Sequence, residues 1–197
     1  MINKILNGYS VILASASPRR REIFSLLGIK CEIRASNIDE PISAEDPALQ
    51  AMKHAKNKCN TVLKQASKQD LVVAADTIVV LEGRILGKPQ NQEEARSFLR
   101  SLSGKTHTVI TGICTGNTEC QRSAHESTQV CFAHLSDSEI EDYINTNEPM
   151  DKAGAYGIQG FGSQFITRIE GCYFNVMGFP VRRFYNTITN MKLEGRL

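Results

Sequence analysis

Short apolar runs alternate with amphipathic stretches along the whole of this 197-residue chain. Residues 10–14, SVILA, form a run of the length expected for a buried strand. A periodic stretch follows over residues 18–27, with Ser17 placed to cap it, Pro18 at the first helical position and Gly28 as its stop. A further strand is expected at residues 31–35. Asp46 and Pro47 then repeat the helix-start signal ahead of a second helix reaching about residue 65. Residues 71–75 are apolar and rich in strand formers, and residues 77–81 continue in that style beyond Asp76. Asn91 with Glu94, and Ser136 with Glu139, have the spacing of capping boxes and predict two more helices. Between them, residues 106–114 and 128–135 read as strands joined through a polar stretch at 116–123. Two final strands are expected at 165–169 and 173–176, then a helix after Pro180. Strands and helices interleave throughout, which predicts an α/β fold with a mixed sheet, since the second half contains hairpins.

Composition narrows this picture more than it extends it. With 41% hydrophobic and 22% charged residues the chain suits an ordinary folded domain, and disordered or collagen-like classes are excluded. No repeat, low-complexity tract or long linker divides it, so residues 1–197 are expected to form a single domain. The 23 Lys and Arg nearly balance the 21 Asp and Glu, leaving a net charge of +2. That excludes broad attraction to a nucleic acid polymer or an acidic membrane, so an anionic partner has to be held by a few placed cations. The first ten residues have no signal-peptide pattern, and no apolar stretch is long enough to span a membrane. The six cysteines include no CxxC pair, and reduced thiols in a cytoplasmic protein are expected. The four histidines are scattered singly, which argues against structural zinc.

Four constellations carry candidate chemistry. Ser15, Ser17, Pro18, Arg19, Arg20 and Arg21 lie at a strand-to-helix junction, where free N–H groups and guanidinium donors suit phosphate or carboxylate. Three arginines there oppose the helix dipole unless an anion compensates them; the alternative is an ordinary exposed helix turn. Asp76 stands between two apolar β-like runs, which is costly for a carboxylate unless it is paired, metal-bound or at a strand end. Lys88 follows Gly87 and precedes Pro89, in a constrained loop that lacks P-loop spacing. Gln159 lies among Gly157, Gly160 and Gly162, where a flat ligand can approach the backbone and an amide can read a donor–acceptor edge. Asp39, Glu40 and Asp76 are oxygen donors suited to Mg²⁺ or Mn²⁺. From the residues alone, an enzyme acting on a phosphorylated small molecule and a phosphate-binding regulatory module both remain open.

Six segments together resemble the Maf family of nucleoside triphosphate pyrophosphatases. They are LASASPRR (13–20), AADTIV (74–79), GKPQ (87–90), LRSLSGKTHTVITG (99–112), EPMDKAGAYGIQG (148–160) and NVMGFPV (175–181). The resemblance implies an elongated mixed sheet with flanking helices in two lobes around a central cleft, an inosine-triphosphatase-like fold. It implies hydrolysis of a nucleoside triphosphate to the monophosphate and pyrophosphate. The GIQG form of the glycine loop is similar to the dTTP/UTP subgroup, with modified pyrimidine triphosphates as further candidates. Pool cleansing or cell-division arrest (septum formation) would be the purpose, and a monomer or homodimer in the cytoplasm the setting.

By position, the resemblance makes Asp76 the proton acceptor and assigns substrate choice to Arg19, Thr77 and Gln159. Arg20, Lys56 and Lys88 match phosphate-contacting cations, Ser15 matches a substrate-binding position, and Glu40 matches an acidic residue associated with the metal. Lys53 and Lys58 stand as alternatives to Lys56, because the family's LAxxKA helix is written differently here. The mechanism expected from this has Mg²⁺ or Mn²⁺ held by Glu40 and Asp76, and cations neutralising the triphosphate. Asp76 would orient or deprotonate water, and Gln159 would read the O4/N3–H edge of thymine or uracil.

Overall fold

The computed structural model describes residues 1–36, 38, 41–43 and 45–197. Its helices are α1 (Ile2–Ile5), α2 (Pro18–Leu26), α3 (Pro47–Leu63), α4 (Gln92–Leu102), α5 (Asp137–Asn145), α6 (Tyr173–Val176) and α7 (Val181–Leu193). The strands are β1 (Ser10–Leu13), β2 (Cys31–Ile33), β3 (Asp70–Leu81), β4 (Arg84–Leu86), β5 (Thr106–Gly116), β6 (Gln121–Phe132) and β7 (Ile166–Glu170). Among the described residues they pair in the order β2-β1-β3-β5-β6-β7, with β4 on β3. The sheet is mixed, as the sequence predicts: β1 runs parallel to β2 and β3, while β3–β4 and β6–β7 are antiparallel.

The chain divides into two compact units, one of residues 1–76, 111–126 and 178–197, the other of residues 77–110 and 127–177. In the first, Ile12, Ala14, Val72 and Ala74 meet Ala55, Cys59 and Val62 of α3, with Cys114 of β5. Asp46 begins α3 by accepting hydrogen bonds from the N–H groups of Ala48 and Leu49, at 2.9 and 3.1 Å. The small residues on the buried face let α3 lie close on the sheet. A Cβ added to Gly112 of β5 would land on the backbone of Ala51 and Met52, so glycine is required there for packing. Phe24, Phe179 and Phe184 form a separate aromatic cluster, with Phe179 5.0 Å from Phe24 and 5.2 Å from Phe184.

The second unit packs β3, β4, β5 and β6 residues against α4 and α5, around Val79, Leu86, Phe98, Leu99, Phe132, Tyr143 and Phe165. Ser136 and Glu139 form the reciprocal capping box their spacing predicts. The Asn91–Glu94 pair does half of this: Asn91 caps Glu94 N–H, while Glu94 accepts from Gln90 N–H instead. Two expectations are corrected. Residues 173–176 form the short helix α6, because Asn175 is buried and donates to Val109 O (2.9 Å) and Thr128 Oγ1 (3.0 Å). Strand β6 also starts at Gln121, earlier than its apolar pattern, because Asn117 makes a tight turn by accepting from Glu119 and Cys120 N–H.

Candidate active site

Asp76 lies within the unbroken strand β3, buried at 6% exposure, and faces α3. The strand does not end at Asp76, so the turn-forming alternative does not apply. His54 and Lys58, one helical turn apart on α3, both reach it. Lys58 Nζ donates to Asp76 Oδ1 at 2.9 Å, and His54 Nδ1 lies 3.1 Å from Oδ2. Burial alone would raise the Asp76 pKa, but it is outweighed by three groups. The His54 hydrogen bond, the charge and hydrogen bond of Lys58 and the charge of Arg20 bring it down to about 2. Asp76 is therefore an anion that only accepts, which makes His54 Nδ1 the protonated nitrogen. Each carboxylate oxygen has a second lone pair, so both can take a further donor or a cation. A carboxylate this acidic is a weak base. Its chemistry is to orient and attract.

Arg20 sits at the start of α2, buried, with two donors committed: Nε to Gly178 O at 2.8 Å and Nη1 to Ser15 Oγ at 3.0 Å. Ser15 Oγ also accepts from Ser17 N–H at 3.2 Å. Ser17 makes no side-chain cap on α2, and Pro18 occupies its first turn. Arg19, beside it, is half-buried, and Arg21 is exposed. This corner has the composition the anion-site reading asks for, with one guanidinium locked and the next nearer solvent.

Lys56 lies apart from Asp76. It is exposed and lines a pocket of about 220 Å³ with Asn117, Glu119 and Gln121 at the β5–β6 turn. Lys53 pairs with Glu45 at 3.0 Å. Of the three lysines weighed from sequence, Lys58 is the one on Asp76. His54 had no sequence-level partner; the usable signal was its spacing of four from Lys58 on a face otherwise made of Ala51, Ala55 and Cys59. Asp39 and Glu40 lie outside the described residues.

In the second unit, Lys88 is exposed on the loop after β4, and Gly87 O accepts from Gly154 N–H at 2.9 Å. Gly154 has φ +69°, and a Cβ there would press on Val79 of β3, so the GKP loop and the AGAYGIQG segment are held together on that strand. Thr77 opens the part of β3 in this unit and is half-buried, as is Gln159. Among the described residues no group of three or more His, Cys, Asp or Glu gathers as a metal site. Asp76 fits as one anionic oxygen ligand of Mg²⁺ or Mn²⁺, ions that take several ligands from water and phosphate.

Comparison with known proteins bears on these features together. Residues 10–191 match the family described as Maf-like protein. A dTTP/UTP pyrophosphatase of Caldicellulosiruptor bescii is 49% identical over 179 residues, covering 88% of this chain and 90% of that protein. Another, of Aquifex aeolicus, is 42% identical over 183 residues, covering 93% and 96%. In fold, the Ham1 protein of Staphylococcus aureus aligns with a TM-score of 0.54 at 14% identity, over 95% of this chain and 100% of that one. A HAM1 protein from Coxiella burnetii aligns at 0.51 and 18% identity, over 80% of each. With the family match spanning nearly its full length, this chain belongs to the Maf-like protein family.

Proposed function

We propose that this protein hydrolyses dTTP and UTP between the α- and β-phosphates, releasing the nucleoside monophosphate and pyrophosphate. The observation that carries the reading is Asp76, held anionic inside the protein by Lys58, His54 and the charge of Arg20. The names of the 42–49% identical relatives support the substrate class. The family match crosses both compact units, which supports reading residues 1–197 as one functional domain. Free nucleotides as substrates support a cytoplasmic setting.

In this mechanism Asp76 accepts a hydrogen bond from the attacking water and fixes its direction, while Lys58 and His54 keep the carboxylate from rotating. Arg19 and the amides at the start of α2 neutralise phosphate charge, and Arg20, tied to Ser15, fixes the geometry of that corner. Lys88 adds a cation to the departing pyrophosphate. A divalent metal bound by Asp76, with Glu40 as the second ligand, would supply Lewis-acid polarisation of the phosphate. Gln159 reads the O4/N3–H edge of the pyrimidine, with Thr77 contacting the nucleotide. A site built on such an edge rejects bases that leave its amide unpaired.

The test is incubation with a panel of nucleoside triphosphates and Mg²⁺ or Mn²⁺, assaying pyrophosphate and orthophosphate separately. Pyrophosphate and monophosphate from dTTP and UTP are expected. Orthophosphate would identify a general phosphatase, and no release from any triphosphate would leave a non-catalytic nucleotide-binding regulator.

A further inference from the structure

Glu148 has no role in the scheme above, yet it organises the loop that carries Gln159. It opens the 3₁₀ turn Glu148–Asp151. Its Oε1 accepts from Tyr143 Oη at 2.9 Å and from Gly162 N–H at 3.2 Å, and its Oε2 accepts from Phe161 N–H at 2.9 Å. Tyr143 Oη in turn accepts from Gly157 N–H at 3.2 Å. The amides of residues 157, 161 and 162 thus converge on one carboxylate–phenol node, bracketing Gln159 from both sides. The far side of Glu148 is fixed as well, since Lys152 Nζ donates to its carbonyl oxygen at 2.6 Å. Burial and the neighbouring Glu148 push the Tyr143 phenol upward, so its hydroxyl keeps its proton and donates to the carboxylate.

Two glycines are shaped by the node. Gly160 has φ +75°, and a Cβ there would lie 2.5 Å from Glu148 Oε2. At Gly162 a Cβ would lie 2.5 Å from Gly157 O and 2.7 Å from Tyr143 Oη. The packing of this segment is done elsewhere, by Tyr156, Ile158 and Phe165, which are buried. Residues 159–161 are the outward part: Gln159 is half-buried, Gly160 is exposed and Phe161 is 62% exposed. Apolar burial contributes little at Gly160 and Phe161, and the Glu148 node binds amides on both sides of Gln159. An ordered loop whose outer half contributes little to the core is one whose order serves what it presents.

We propose that Glu148, with Tyr143, is a positioning residue for base selection: it fixes residues 157–162 so that the Gln159 amide meets the pyrimidine edge already oriented. This rests on the reading of Gln159 as the base-recognising amide. Glutamine in place of Glu148 keeps the size but turns one acceptor into an NH₂ donor facing groups that themselves donate. Tyr143→Phe removes only the hydroxyl and is the milder second variant should Glu148→Gln fail to fold.

The experiment measures kcat and KM for UTP and CTP in the wild type, Glu148→Gln, Tyr143→Phe and Gln159→Ala, alongside ¹H–¹⁵N spectra. Glu148→Gln should lower the UTP-over-CTP ratio of kcat/KM about tenfold, mainly through KM for UTP, with the Phe161 and Gly162 amides shifted. Tyr143→Phe should move the ratio in the same direction by about threefold. A uniform loss on both nucleotides in both variants, with the ratio intact, would overturn the proposal and leave Glu148 a structural residue. If Gln159→Ala collapses the ratio while Glu148→Gln and Tyr143→Phe preserve it, the Glu148 assignment fails alone. If Gln159→Ala preserves the ratio while Glu148→Gln collapses it, the reading of Gln159 fails and Glu148 remains the residue that holds the selecting loop.

Discussion

Asp76 and Glu148 are both carboxylates that gather hydrogen bonds from several directions, and they are embedded in opposite ways. Asp76 sits in the middle of a strand and takes its donors from side chains on one regular helix. Glu148 sits at the start of a 3₁₀ turn and takes its donors from a phenol and two loop amides. Around Asp76 the scaffold is rigid first, through α3 lying on Gly112, and the carboxylate is what gets immobilised. Around Glu148 the carboxylate is the fixed point and the loop is what gets immobilised. A charge held by side-chain donors can be shared with a ligand that competes for them. A charge spent on amides holds shape.

The sharpest break in this comparison is Asp76→Asn. If the Asp76 charge acts on the reacting groups, turnover should fall about 10³-fold while nucleotide affinity holds within a few-fold. Steady-state kinetics with a nucleotide-binding titration separate the two. Retained turnover would place Asp76 in the same class as Glu148, a carboxylate used for shape.

The next test asks which lysine completes the cradle. Removing Lys58 leaves a buried carboxylate short of one cation, so Lys58→Met should cost about 3 kcal/mol in denaturant unfolding and about 10²-fold in kcat. Lys56→Met, on an exposed residue, should cost at least tenfold less activity. The reverse ranking would return the phosphate-contacting role to Lys56.

These two carboxylates also show how much was legible beforehand. Asp76 stood out because burying a lone charge in an apolar run is expensive, and that argument needs only local sequence. Its partners did not stand out: His54 and Lys58 lie 22 and 18 residues earlier, and only the packing of α3 on Gly112 brings them there. Helix starts at Asp46, Asn91 and Ser136 were legible because caps are local chemistry. The 173–176 segment reads as a strand but is helical, because its conformation is set by Asn175 reaching Val109 and Thr128, contacts spanning 66 and 47 residues. Glu148 carries no local signal, since nothing nearby in sequence says that amides 13 and 14 residues later will turn toward it.

A third test is stability against pH, and it addresses the two units through different groups. In the second, His107 shares a 2.7 Å hydrogen bond with Tyr156, and burial lowers its pKa to about 4. Unfolded, the same imidazole titrates near about 6.5, so between these values the native state binds fewer protons than the unfolded chain. Stability from neutral His107 is complete above about pH 6.5 and is lost as pH falls toward 4, by about 3 kcal/mol at most. In the first unit the sign is set by a depressed carboxylate. Asp76 contributes stability above its unfolded value of about 3.9, and that contribution is lost only as pH falls toward about 2. The two windows barely overlap. Denaturant unfolding of wild type and His107→Gln should therefore diverge between pH 7 and 4.5, with the variant the flatter. Parallel wild-type and His107→Gln profiles would mean that His107 is not held neutral.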